Sequence, residues 1–368
     1  MLLRLKVRRF GIYFLISICA ILYTIPDSVQ LPFRVFLLLG VAGYYFYVNY
    51  GKVTYLQLIA IIIVVGIILY KLLVMNFDTS LLMIFLSIIP AMSMKHYSFS
   101  NNDIRLLHKW LCFFSLTIIF QLMIYRYEGR PNLSYEINQS GSYLFLFFLL
   151  CDVTNFRLGK FIVCVSAFLL LSRLLILSII LFYLIKFLQK IFLGKLINRL
   201  SYTFLILISN FVIIAFSFWF VVEFGESALR GADDISRLTN VVDGSNFVRF
   251  KINTEVVLKL LNGDNNLIFN GFGDLASNKE YLNDFGLMPH NELIKSIAQT
   301  GLLTTLFFFF LSRKVMAPLI NSNTIVYFIP IVLYTLILWV RFTIVPSFEM
   351  ILILFIFSLK QQFTALSK

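Results

Sequence analysis

The chain has 368 residues, of which 60% are hydrophobic and only 13% are charged. A soluble domain has roughly 25% charged and roughly 45 to 50% apolar residues. The composition therefore excludes soluble enzymes, soluble nucleic-acid-binding proteins and secreted disulfide scaffolds, and it indicates a membrane protein.

Long uncharged segments predict an all-α polytopic membrane protein with about twelve transmembrane helices. Each such helix needs about 20 apolar residues. The run 159–192 is too long for one helix, and an arginine at the centre of a span would be costly, so we divide it at Ser172 and Arg173. The predicted spans are residues 10–25, 31–48, 53–75, 79–95, 106–125, 141–155, 159–172, 174–192, 201–223, 292–311, 323–340 and 344–360.

The net charge of +13 is interpreted as a signal of orientation, because cytoplasmic loops of membrane proteins collect lysine and arginine. With both termini in the cytoplasm, 18 of the 31 basic residues fall in cytoplasmic segments. Only Asp103 and Asp152 of the 18 acidic residues lie near that side. We therefore expect no nucleic-acid partner.

The predicted spans divide the chain into three parts. Residues 1–223 hold spans one to nine and a polar external loop at 125–140, residues 224–291 form a large external loop, and residues 292–368 hold the last three spans. The large loop contains a predicted helix at 247–261, capped by Ser245 or Asn246 and ended by Asn262 and Gly263.

Arginines gather on the predicted external side. Arginine suits phosphate and pyrophosphate, because its planar guanidinium binds oxygens in pairs and stays charged. Taken singly, each of these residues is more often an interface anchor or a solvated charge, so the prediction depends on their convergence. The external arginines are Arg126, Arg130, Arg173, Arg230, Arg237, Arg249 and Arg341, and His290 lies on the same side.

His290 stands just before a predicted helix that begins at Glu292, with Asn291 as its N-cap. The helix dipole disfavours imidazolium at that position, so a neutral imidazole is expected. It could act as a general base or bind a phosphate oxygen, and the alternative is an incidental loop histidine.

Metal and nucleotide sites are poorly supported. The adjacent Asp233 and Asp234 and the lone Gly271-Phe272-Gly273 lack the spacing or context of such sites. We expect no metal and no cofactor. The four cysteines lie in or beside apolar segments and are predicted to be free thiols.

Residues 125–301 resemble the superfamily of O-antigen polymerases and O-antigen ligases, which build bacterial surface polysaccharides. The resemblance is carried by RPN at 130–132, Ser172-Arg173 at a short external turn, Arg249 opening a helix, NGFGD at 270–274 and His290-Asn291 before Gly301. The N-terminal spans match only in hydropathy, and the external loop is compact.

The resemblance implies a GT-C-like, metal-independent inverting glycosyltransferase with an undecaprenyl-pyrophosphate-linked oligosaccharide as donor. Arg173 and Arg249 would bind the pyrophosphate, and His290 would be the base or a second phosphate contact. Arg130 and Arg341 are weaker candidates for substrate binding, together with Arg126 and Asn291.

Polymerases and ligases of this family share these motifs, and the short chain with divergent, Phe-rich helices looks more like a polymerase, which joins two lipid-linked glycans. The resemblance implies the bacterial inner membrane, with the active site facing the periplasm. A chain-length regulator and a flippase are the implied partners. A ligase that transfers the glycan to lipid A core is the first alternative. The second is a flippase for the same glycans, although flippases usually carry charge near the bilayer midplane.

Overall fold

The computed structural model describes residues 2–48, 55–73, 79–93, 99–193, 201–224, 244–286, 288–289, 291–337 and 347–366. Within these ranges the chain is almost entirely helical, apart from loops and one short hairpin, β1 (Arg126–Tyr127) paired with β2 (Arg130–Pro131). The helices are α1 (Leu2–Thr24), α2 (Asp27–Val48), α3 (Tyr55–Leu73), α4 (Thr79–Ser93), α5 (Asn101–Ile124), α6 (Ile137–Val153), α7 (Arg157–Leu169), α8 (Arg173–Leu188), α9 (Tyr202–Phe224), α10 (Gly244–Leu261), α11 (Lys279–Phe285), α12 (Glu292–Thr300), α13 (Leu302–Met316), α14 (Ile325–Ile337) and α15 (Phe348–Leu366).

The chain is an all-α membrane protein. Four helices of the described ranges are long and apolar enough to cross a bilayer: Asn102–Ile124, Arg173–Ile191, Tyr202–Phe224 and Leu302–Leu319. Large apolar side chains such as Phe211 and Val222 on α9 stay exposed, as expected for a surface that faces lipid.

Two helices form the centre of the bundle. In α6 every residue from Ser140 to Val153 is buried, and in α15 every residue from Phe348 to Leu359 is buried. A helix that is apolar on all sides is expected to be surrounded by others. Helix α6 packs against α7, α8 and α15, and the Phe148 ring meets Phe182 of α8 edge-on at 5.5 Å. These two helices therefore lie at the centre of the core, and the other helices pack around them.

The predicted division of the run 159–192 is confirmed. Helix α7 ends at Leu169, Leu171 has a φ of +50°, and α8 begins at Arg173. The Ser172 hydroxyl accepts a hydrogen bond from the Leu175 N–H at 3.4 Å, as an N-cap does. A polar cap and a turn thus interrupt an otherwise apolar sequence.

The span predicted at 292–311 is not one helix. Gly301 has a φ of +83°, which ends α12 and lets α13 begin at Leu302. A side chain at Gly301 would approach the Phe269 backbone to 2.7 Å, so glycine is needed there for space as well as conformation. The helix that can span the bilayer is therefore Leu302–Leu319.

The predicted helix of the large loop is present as α10. It begins at Gly244, so Ser245 and Asn246 lie in its first turn and do not cap it. It ends at Leu261, and Gly263 follows with a φ of +81°. The four cysteines are free thiols, as predicted.

Candidate functional site

Arg173 lies at the exposed start of α8, beside the first turns of α6. Tyr334 of α14 donates a hydrogen bond to the Gly141 carbonyl at 3.3 Å. A Cβ on Gly141 would stand 3.0 Å from the Ser172 hydroxyl. The absence of a side chain at Gly141 therefore lets the turn before Arg173 pack directly on α6.

A buried network joins α2, α6 and α15 at the same end of α6. Arg34 Nη1 lies 3.2 Å from Glu349 Oε1, and Arg34 Nη2 donates to the Tyr143 hydroxyl at 2.7 Å. That hydroxyl donates to Glu349 Oε1 at 3.2 Å. The guanidinium also stands over the Phe348 ring, 5.1 Å from its centre. Charged groups that a membrane protein places between its helices usually pair with one another, as Arg34 and Glu349 do.

The polar loop before α6 is fixed to the end of α1. The Tyr135 hydroxyl donates to the Ile25 carbonyl at 2.8 Å and accepts a hydrogen bond from Gln30 Nε2 at 2.6 Å. Burial raises the pKa of Tyr135 above its ordinary value, so the hydroxyl stays protonated. The loop that carries Arg126 and Arg130 is thereby held against the bundle.

The two arginines of the hairpin have different environments. Arg126 is exposed, and its Nη1 donates to the Leu122 carbonyl at 2.6 Å, which satisfies the end of α5. Arg130 is half-buried and pairs across the hairpin with Tyr127. The structure thus gives Arg126 a local role in helix capping.

Asn291 caps α12, as predicted. Its Oδ1 accepts a hydrogen bond from the Ile294 N–H at 3.0 Å, and its Nδ2 donates to Asn210 Oδ1 at 3.1 Å. Helix α9 begins at Tyr202, and Asn210 is eight residues further along it. At the usual rise per residue, Asn210 therefore lies about 12 Å along the helix axis from that start. Because Asn291 and Glu292 are fully buried, α12 starts inside the bundle rather than at its surface.

Helix α12 is short, polar and buried. Ile294 and Ile297 pack with Ile252 and Val256 of α10 in one apolar cluster. Thr300 and Thr305 place their hydroxyls 3.2 Å apart across the break at Gly301. Irregular backbone within a membrane protein is tolerated where protein surrounds it or where it lines a cavity. The buried polar residues of this segment are Asn291, Glu292, Lys295, Ser296, Gln299 and Thr300.

Arg249 is half-buried on α10, which packs against both α9 and α12. One turn further along α10, Asn253 is buried, and its Oδ1 has no hydrogen-bond partner among the described residues. A buried oxygen without a hydrogen-bond donor costs free energy, so a polar ligand that donates to Asn253 would stabilise this face of α10.

The expected catalytic residues fall into two groups. Arg173 belongs to the group at the start of α6, and Arg249 to the group around α12. Helix α14 packs against α8, α9 and α12, so it contacts helices of both groups. His290 and Arg341 lie outside the described residues, as do Arg230, Arg237, Asp233 and Asp234.

The sequence analysis missed the half-buried Arg34 and three buried polar residues, Glu349, Asn210 and Lys71. The sequence did contain a signal for these residues, because each is a polar or charged residue within an apolar predicted span or near its end. Among the described residues, no group of three His, Cys, Asp or Glu side chains could hold a metal ion.

No protein-family model matches this chain, and no curated protein matches it. The case for a function therefore depends on the chemistry of these residues and their contacts.

Proposed function

We propose that this protein is a polymerase of lipid-linked oligosaccharide repeat units. It transfers the growing glycan from undecaprenyl pyrophosphate to an acceptor sugar of another lipid-linked unit on the external face of the membrane. The observation that carries the proposal is the buried polar helix α12, whose N-cap Asn291 lies inside the bundle and which packs on the helix of Arg249. It supports a site for a polar ligand within an otherwise apolar protein.

The proposed reaction needs a base and a stabilised leaving group. The acceptor hydroxyl oxygen attacks the anomeric carbon of the donor, and the bond from that carbon to the pyrophosphate oxygen breaks. The acceptor proton passes to His290, and negative charge develops on the departing pyrophosphate. Arg249 and Arg173 are assigned to that charge, because cations fixed in advance at a developing anion lower the barrier. No metal or cofactor enters this scheme.

The remaining candidates receive narrower roles. Asn291 already uses both amide atoms, in the cap and with Asn210, so we assign it to positioning the start of α12. Arg130 remains a candidate for contact with the glycan or the pyrophosphate, and Arg126 and Arg341 are weaker ones.

The proposed location is the bacterial plasma membrane, with both termini in the cytoplasm and the site in the periplasm. Support comes from the distribution of basic and acidic residues between the two sides and from contacts between helix ends. Arg34, Tyr143 and Glu349 all lie near predicted external ends of their helices, and they contact one another. Asp152 and Lys186 lie near predicted cytoplasmic ends, and they are 3.1 Å apart. A flippase and a chain-length regulator are the proposed partners.

Substitutions at the site test the proposal. Arg249→Ala and His290→Ala should each reduce polymer formation on the order of 100-fold or more, as loss of a transition-state contact does. Lys251→Ala is the matched control, because Lys251 is exposed on the same helix and, among the described residues, forms an ion pair only with Glu255 at 3.7 Å. Protein levels are measured by immunoblot and polymer by gel. Normal polymer in both Arg249→Ala and His290→Ala would contradict the assignment.

A further inference from the structure

Lys71 is a fully buried lysine, with a relative exposure of 0%. Its Nζ has no hydrogen-bond partner within the described part of the chain. The ammonium lies 5.9 Å from the centre of the ring of the adjacent Tyr70. A buried ammonium without a partner is strongly unfavourable.

Lys71 lies in the last turn of α3, on the face that carries the buried Ala60 and Val64. This face is expected to turn toward α4, the helix that α3 packs against. Two residues later α3 ends, at the side of the bundle that the topology places outside. The ammonium is therefore inside the protein but close to the depth of lipid headgroups.

Buried Glu349 and Asp152 both have cations beside them. Arg34 lies 3.2 Å from Glu349, and Asp152 has Lys160 at 3.0 Å and Lys186 at 3.1 Å. At these two carboxylates the fold itself supplies the counter-charge. Within the described residues Lys71 has no such partner, so a bound molecule is the candidate source of its counter-charge.

The end of α3 is joined to the region of α12. Tyr70 donates a hydrogen bond from its hydroxyl to Asn270 Oδ1 at 2.5 Å. Two residues after Asn270, the Phe272 N–H donates to the Ala298 carbonyl of α12 at 2.7 Å. The segment from Asn270 to Phe272 therefore contacts both the end of α3, which carries Lys71, and the polar helix α12 of the proposed site.

We propose that Lys71 binds a phosphate oxygen of the lipid-linked donor. Identifying the lipid as the donor rests on the proposed function, whereas binding of a lipid phosphate does not. A phosphate would supply the missing negative charge and accept hydrogen bonds from the ammonium. The polyprenyl chain would remain in the apolar surroundings of the bundle.

Binding and stability, measured together on purified full-length protein, test this proposal. Lys71→Met should raise the unfolding temperature, because it removes an uncompensated buried charge, and should weaken binding of undecaprenyl pyrophosphate about tenfold or more. Lys71→Arg should retain binding. Lys186→Met is the matched control: it should lower the unfolding temperature, because Asp152 loses a partner, and leave binding unchanged.

The outcomes separate the possible sources of the phosphate. Unchanged binding in Lys71→Met would overturn the proposal. Equal competition by phosphatidylglycerol would show that an ordinary phospholipid occupies the site, and would overturn the assignment to the donor. If Lys71→Met loses binding while Arg249→Ala and His290→Ala both form normal polymer, the lipid-phosphate site stands and the proposed function fails.

Discussion

Asn291 and Asn210 are hydrogen-bonded at 3.1 Å, although 81 residues separate them in the chain. The bond fixes the start of α12 at a point well inside α9. Both side chains are buried, so neither can exchange this partner for water. The proposed site thus depends on a contact that ties the large loop to the transmembrane bundle.

Replacing Asn210 by leucine should loosen this attachment. Asn210→Leu leaves the Asn291 amide without its acceptor, which should cost about 1 to 3 kcal/mol of stability and reduce polymer formation. Ser217→Ala on the same helix is the control, because within the described part of the chain the Ser217 hydroxyl donates to the Ile213 carbonyl of its own helix and to no other residue. Thermal unfolding in detergent and a polymer gel measure the two effects. Equal stability of the two variants would argue against the role given to Asn210.

The Arg34–Glu349 pair can be tested with a double-mutant cycle. Arg34→Met leaves the Glu349 carboxylate buried without its cation, which should destabilise the protein by about 3 kcal/mol. The double variant Arg34→Met/Glu349→Met should recover much of this loss, since no charge is then left unpaired. The cycle is followed by thermal unfolding. Simple additivity of the two single variants would show that the pair does not interact in solution.

Gly301 should not tolerate a side chain. Gly301→Ala combines a left-handed backbone with a close approach to Phe269, and should cost about 2 kcal/mol or more. Gly66→Ala should instead be neutral or stabilising by about 0.5 to 1 kcal/mol, because Gly66 lies in a helix with open space around it. Comparing the unfolding temperatures checks both. A stable, active Gly301→Ala would mean that α12 and α13 form one continuous helix.

The two ends of α5 test the topology. Asn102 is exposed in the first turn of α5 and Tyr127 is exposed just after its end, so a cysteine introduced at each should be labelled from opposite sides of the membrane. A membrane-impermeant maleimide applied to spheroplasts should label Tyr127→Cys but not Asn102→Cys until the cells are lysed. The unmodified chain, which has four native cysteines, gives the background. Labelling of both variants in intact spheroplasts would refute the predicted orientation.

Local signals in the sequence predicted several elements well. Polar caps and turns interrupt apolar runs at Ser172 and at Asn291, and the structure has helix starts at both places. These features depend on hydrogen bonds within one turn of helix, so the local sequence contains what is needed to predict them. The class of the fold followed directly from composition.

Features that depend on distant contacts could not be predicted in this way. The backbone at Phe269 leaves no space for a side chain at Gly301, and the half-buried Arg34 pairs with Glu349 of α15. Hydropathy alone predicts a single span at 292–311, because hydropathy contains no information on which backbone segments approach each other. The pairing of buried charges needs knowledge of which helices are neighbours.

The most direct test of the proposed function is a comparison of a strain that lacks this protein with its complemented parent. Undecaprenyl-linked glycans are analysed by mass spectrometry, and surface polysaccharide is separated on a gel. The account predicts that the strain without the protein holds only single repeat units, both on the lipid and at the surface. Long chains that accumulate on the lipid and fail to reach their acceptor would contradict it and would indicate a ligase.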